Sequence, residues 1–265
     1  MLDAFNRRIN YLRISVTDKC NLRCRYCMPD GQIKLLPRSE ILSYEEIVEV
    51  VKVAVGMGIT KVRLTGGEPL VKRNIVHLVA AIARIDGIVD FGMSTNGLLL
   101  RHFARGLAEA GLHRVNVSLD SLSPERYAYI TRGGDVGKVL DGIDAALEAG
   151  LAPVKINCVI TESPQEQDAR EVARYAADRG LQVRFIRQMV TAEGQFWPVI
   201  GGHGGKCASC NRLRLSSNGM IRPCLFSDLA FSVRELGPRR AIEWALRSKP
   251  ESGAVSHNKF YEVGG

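Results

Sequence analysis

Six times between Tyr11 and Ile186, a short run rich in β-branched residues gives way to a longer stretch whose apolar residues recur at helical spacing. That alternation confines the chain to an α/β architecture built from parallel βα units. Strands are predicted at Tyr11–Val16, Lys61–Leu64, Val89–Met93, Arg114–Ser118, Val154–Ile160 and Leu181–Ile186. Helices are predicted at Tyr44–Met57, Asn74–Ile85, Leu99–Ala110, Val136–Ala149 and Gln165–Arg179. Most of these end near a glycine (Gly58, Gly111, Gly150, Gly180), the usual residue just past a helix. Six units are two short of a complete eightfold barrel, so periodicity alone permits either an open doubly wound sheet or a partial barrel.

The rhythm stops near residue 190. Five glycines between Glu193 and Lys206 (Gly194, Gly201, Gly202, Gly204, Gly205) read as a flexible connection. Beyond it, Arg212–Ser216 and Met220–Pro223 flank a Ser-Asn-Gly turn and read as a hairpin. A last helix is expected over Val233–Arg247, with Gly237-Pro238 as its point of interruption. The expected division is therefore a barrel-like unit over 1–190, a Gly-rich linker over 191–206 and a C-terminal region over 207–265.

With 265 residues, 46% of them apolar, the chain can bury a substantial core without disulfides. No secretory h-region opens it, and its most apolar stretch is short and broken by Glu49 and Lys52, so a cytoplasmic location is expected and no membrane partner. Clustered cysteines then suggest metal or redox chemistry. Cys20, Cys24 and Cys27 follow the first strand as Cys-x₃-Cys-x₂-Cys. Three thiolates on a short loop suit three irons of a four-iron cluster, whose fourth iron stays open to a small molecule. Zinc competes, but the nearest histidine, His77, is remote in sequence. The second set, Cys207-x₂-Cys210-x₁₃-Cys224, brackets the hairpin, and His203 is available as a fourth ligand, so spacing alone admits either zinc or a second cluster. The seventh, Cys158, reads as a small buried hydrophobe in the fifth strand. The formal charge of +8 suits an anionic ligand without choosing among nucleotide, nucleic acid and solvent. No Walker A loop is present, so any phosphate must be held by dispersed cations.

The first triplet, with Tyr26 just before the third cysteine, resembles the signature of radical S-adenosylmethionine enzymes. That resemblance implies a [4Fe-4S] cluster whose open iron binds S-adenosylmethionine and whose electron releases a 5′-deoxyadenosyl radical. It also gives a role to Gly66, Gly67 and Glu68, with Glu68 receiving the methionine amino group. Thr95-Asn96-Gly97 and Ser118-Leu119-Asp120 stand at the equivalent ends of later strands, where sites form in α/β folds. Singly, each of these segments could be an ordinary turn or helix cap.

Four separated segments resemble a narrower family, the GTP 3′,8-cyclases of molybdenum-cofactor biosynthesis. They are Tyr11 through Cys20, Lys61 through Pro69, Cys207 through Leu225, and the terminal Gly264-Gly265. The resemblance implies a partial (βα)₆ TIM-like barrel with a small C-terminal cluster-binding region and two [4Fe-4S] clusters. It implies GTP as substrate, with hydrogen removal from ribose C3′ and attack on guanine C8. Arg13, Lys61, Arg63, Lys155, Arg184, Arg212 and Arg214 match the family's cationic positions, and Gly264-Gly265 its active-site tail. A low-potential electron donor, a downstream molybdopterin-pathway enzyme and a homodimer complete the implied partners. Two departures stand out: Arg187 where the family usually has Glu, and a short segment over 188–206. The competing readings are another radical enzyme with an auxiliary cluster, and a zinc-bearing basic nucleic-acid-binding protein.

Overall fold

The computed structural model describes residues 1–28 and 33–264. Among these, nine strands form one sheet in the order β6-β5-β4-β3-β2-β1-β7-β8-β9. The first six are β1 (Tyr11–Ser15), β2 (Lys61–Thr65), β3 (Asp90–Thr95), β4 (Arg114–Ser118), β5 (Lys155–Ile160) and β6 (Gln182–Arg187). They pair parallel in sequence order, the pattern of a partial (βα)₆ barrel. The connecting helices are α1 (Tyr44–Gly56), α2 (Ile75–Ala83), α3 (Leu100–Glu109), α4 (Pro124–Thr131), α5 (Val136–Glu148) and α6 (Gln167–Asp178). Each predicted strand and helix of this region is present, β4 with the same bounds and the others with ends shifted by at most two residues.

Beyond β1 the sheet continues through β7 (Arg212–Leu215), β8 (Met220–Arg222) and β9 (Phe231–Ser232). The expected hairpin forms, with β7 and β8 antiparallel, but β7 also lies parallel to β1, Arg13 facing Arg214 across the ladder. The last predicted helix breaks at Gly237 into α7 (Val233–Leu236) and α8 (Pro238–Arg247), and α9 (Phe260–Val263) ends the described chain. The glycines of 191–206 make close approaches: a Cβ on Gly205 would sit 2.0 Å from the Trp197 carbonyl oxygen, and one on Gly201 2.5 Å from that of Val183. Ile200 bridges to Phe185 at the outer edge of β6.

Strand alternation decides what faces inward. Leu12 and Ile14, Val62 and Leu64, Phe91 and Met93, Val115 and Val117, and Ile156 with Cys158 are buried in the main apolar core that the helices cover. Each such side chain contributes roughly 1.5–3 kcal/mol by leaving water. Cys158 is 1% exposed and belongs to this core, as expected. The other face carries Tyr11 and Arg13, Lys61 and Arg63, Asp90 and Gly92, Arg114 and Asn116, Lys155 and Asn157, Gln182 and Arg184, and Arg212 and Arg214. A barrel interior is ordinarily filled with branched apolar side chains. Here it is a lumen of cations.

Candidate active site

The C-terminal ends of β1 to β6 surround one cavity. Cys20, Cys24, Cys27, Tyr26, Gly66, Gly67, Glu68, Thr95, Asn96 and Ser118, spread over four strand ends in the sequence, all line it. The cysteine loop is stitched to the turn after β2 by backbone: Gly67 N–H donates to the Thr17 carbonyl and Glu68 N–H to that of Lys19, each at 2.8 Å. A Cβ on Gly67 would lie 2.4 Å from the Lys19 oxygen, and one on Gly66 2.6 Å from that of Thr17. The paired glycines therefore let two loops touch, in addition to walling the cavity.

Glu68 is 1% exposed. Its Oε1 accepts from Leu70 N–H at 3.0 Å and Thr95 Oγ1–H at 2.7 Å, and its Oε2 from Asn96 N–H at 2.7 Å. Burial nevertheless pushes this carboxyl up to about 7. A carboxylate has about four acceptor sites, so three donors leave room for one more. Asn96 Nδ2 bonds to Asn21 Oδ1 at 2.7 Å, joining the third strand end to the cysteine loop. Tyr26 donates its hydroxyl to Asp120 Oδ2 at 2.9 Å, while Asp120 Oδ1 accepts from Val159 N–H at 2.8 Å. Asp120 is pushed up to about 6 by the same burial.

Burial, with mutual like charge added, raises the Cys24 and Cys27 thiols, Cys27 to about 12; burial also raises Cys20. Three thiols that resist ionising beside one another suit a cationic iron group, which would bind them as thiolates and offset that repulsion. Among the described residues no three His, Cys, Asp or Glu side chains converge on a single-ion position, His203 included.

A short helix that sequence reasoning missed holds this loop. The carbonyls of Ile130 and Thr131 at the end of α4 accept from Arg25 N–H and Arg23 N–H. Arg132, in the left-handed conformation at φ 56°, donates to the carbonyls of Arg23 at 2.9 Å and Met28 at 2.6 Å. The helix has eight residues, begins Ser123-Pro124 and carries little apolar period, so only its cap chemistry signalled it.

The lumen below is crowded with charge. Arg63 and Arg212 each stand 5.8 Å from the Tyr11 ring centre. Burial, then mutual repulsion, pulls Arg13, Arg63, Arg184 and Arg214 below the ordinary guanidinium range, Arg214 to about 10. The Nε atoms of Arg63, Arg184 and Arg212 are buried without a hydrogen-bond partner. Arg114, which no sequence motif marks, joins the cluster and pairs with Asp90 through two bonds of 2.8 and 2.7 Å. Arg214 donates to the carbonyls of Val263 and Gly264, tying the C-terminal tail to β7. A Cβ on Gly264, at φ 70°, would collide with Thr65 at the end of β2. Gly265 lies outside the described residues.

The sequence profile of the radical SAM superfamily matches residues 14–176. A GTP 3′,8-cyclase of Alkaliphilus oremlandii is 40% identical over 299 aligned positions, covering 95% of this chain and 93% of the relative. The chain belongs to the GTP 3′,8-cyclase family of radical SAM enzymes. Members from Thermodesulfovibrio yellowstonii (42% identical, 89% of this chain and 88% of theirs) and Peptoclostridium acidaminophilum (36%, 100% and 98%) agree. The last alignment runs to 321 positions, so that family member carries residues with no counterpart in this chain. Solved structures support the fold: Streptococcus suis SuiB bound to S-adenosylmethionine superposes with TM-score 0.60 at 16% identity, covering 86% of this chain and 64% of that one. An anSMEcpe structure with bound AdoMet gives 0.57 at 20%, covering 70% and 51%. The chain thus spans less than two thirds of each structure.

Arg187 lines the cavity, stacks 4.1 Å from the Trp197 ring centre and donates to the Thr161 carbonyl at 3.2 Å. No described helix is long and apolar enough to cross a membrane.

Proposed function

We propose that this enzyme converts GTP to (8S)-3′,8-cyclo-7,8-dihydroguanosine 5′-triphosphate, the first step of molybdopterin biosynthesis, with the triphosphate held in the cationic lumen. The lumen itself carries the proposal: buried guanidiniums with unmatched Nε–H groups, charged against one another, are stabilised by a polyanion and by little else. Cys20, Cys24 and Cys27 would hold a [4Fe-4S] cluster, which when reduced would supply the electron for cleavage of S-adenosylmethionine. Glu68 receives the amino group of that cofactor at its remaining acceptor site, and Thr95 and Asn96 hold the carboxylate in place. Arg13, Lys61, Arg63, Lys155, Arg184 and Arg212 orient the nucleotide from the inner faces of β1, β2, β5, β6 and β7. Cys207, Cys210 and Cys224 would hold a second [4Fe-4S] cluster, which would supply a binding position for the guanine. Gly264 lies beside Thr65 with Arg214 anchoring it, and the terminal Gly264-Gly265 pair is assigned a part in the active site. The reaction requires a low-potential electron donor and a downstream enzyme that consumes the cyclised product, in the cytoplasm; a homodimer is the assembly we assign.

Anaerobic analysis should find about eight irons per chain. Cys24→Ala should lose half of the iron and all cleavage of S-adenosylmethionine. Cys210→Ala should keep the first cluster and form some uncoupled 5′-deoxyadenosine without cyclising GTP. Stoichiometric zinc at the second triplet, or cyclisation that survives Cys210→Ala, would overturn the role given to that triplet.

A further inference from the structure

Lys249 follows α8 in the sequence Ser248-Lys249-Pro250, where a lysine ordinarily reads as a solvated helix end. It is instead 3% exposed. Its Nζ donates to the Arg212 carbonyl at 2.8 Å and to the Pro223 carbonyl at 2.5 Å. Those carbonyls lie two residues after Cys210 and immediately before Cys224, so one ammonium closes the base of the β7–β8 hairpin. An ammonium has three N–H donors; these two carbonyls take two of them, and the buried charge stands close to Cys210 and Cys224. Arg7 frames the opposite side, donating to the carbonyls of Cys207 at 3.0 Å, Glu251 at 2.8 Å and Pro250 at 2.7 Å.

A buried lysine is costly unless its charge is used. Bonding to these carbonyls fixes the backbone beside Cys210 and Cys224, and a buried positive charge at that place also has an electronic effect, because nearby charge and hydrogen bonding set the potential of a cluster held by those sulfurs. We infer that Lys249 is a positioning residue of the second cysteine triplet, holding Cys210 and Cys224 in register and raising the reduction potential of the cluster they bind. The inference rests on the second triplet holding a cluster.

The test is a redox titration followed by electron paramagnetic resonance on the full chain. The second cluster is recognised as the signal that does not change when S-adenosylmethionine is added. Lys249→Met keeps the stem and removes the charge; it should retain about eight irons and shift the reduction equilibrium of that signal by about tenfold toward the oxidised form, 59 mV for a one-electron couple. Full iron content with an unchanged potential would overturn the inference, leaving Lys249 a strut. If Lys249→Met loses the second cluster outright, Lys249→Arg decides: recovery of that cluster supports the role of the cation, and continued loss overturns it. Four irons in the unaltered chain would instead overturn the two-cluster reading, independently of any variant.

Discussion

Asp3 and Arg7 sit in an N-terminal stretch that carries no motif, yet their side chains are 0% and 5% exposed and meet at 2.6 Å. Burial raises the Asp3 carboxyl, but bonds from the Arg7 and Phe5 backbone and the Arg7 guanidinium outweigh it and hold it below the usual range. Arg7 spends its remaining donors on the Cys207 loop and residues 250–251, so this one pair fastens both ends of the chain beside the second triplet. Removing one partner of a buried pair costs about 3–5 kcal/mol, because the other charge stays buried and unmatched. Asp3→Asn should therefore lower the thermal midpoint by roughly 6 °C or more for a chain of this size. A melting curve within a degree of the unaltered protein would show that the pair is dispensable.

Elements matter here for where they end. α1 opens on a capping box, Ser43 Oγ accepting from Glu46 N–H and Glu46 returning the bond to Ser43 N–H, and Arg234 from α7 pairs with the same Glu46 at 2.7 Å. α4 ends where its carbonyls meet the cysteine loop. The turn after β2 approaches that loop so closely that a methyl at position 67 has no space. Overpacking of this kind costs typically 1–3 kcal/mol, and here the strain falls on the wall of the cofactor cavity. Gly67→Ala should weaken S-adenosylmethionine binding at least tenfold in equilibrium dialysis, while iron at the second triplet is retained. Unchanged affinity would mean that the two loops move apart without consequence for the site.

At the scale of the whole molecule, one sheet joins the two cysteine triplets. Because β7 adds to β1, Arg212 and Arg214 enter the same ladder as Tyr11 and Arg13, and the cations of six strands face a common lumen. Charge-assisted bonds are worth about 1.5–3 kcal/mol each. Arg212→Ala should weaken GTP binding by roughly ten- to a hundredfold on the scale of 1.4 kcal/mol per decade, and leave S-adenosylmethionine affinity unaltered. Equal GTP affinity in calorimetry would place the triphosphate elsewhere. The sequence by itself determined the six βα units, the cysteine triplets and most of the cations, because strand and helix periods and ligand spacings are local properties written within a few residues. It also put Glu68, Thr95 and Asn96 at the ends of parallel strands, where they line one cavity, since parallel strands bring their C-terminal ends together whatever lies between. Only the tertiary structure decided that β7 continues the barrel sheet, that Arg114 joins the cluster through Asp90, and that Arg214 bonds to the tail. The same holds for Lys249 and Arg7 beside the second triplet. Each of these depends on groups that meet across 24 to 244 positions of chain, and a long-range meeting of a charge with a carbonyl leaves no period or spacing in the sequence to be read.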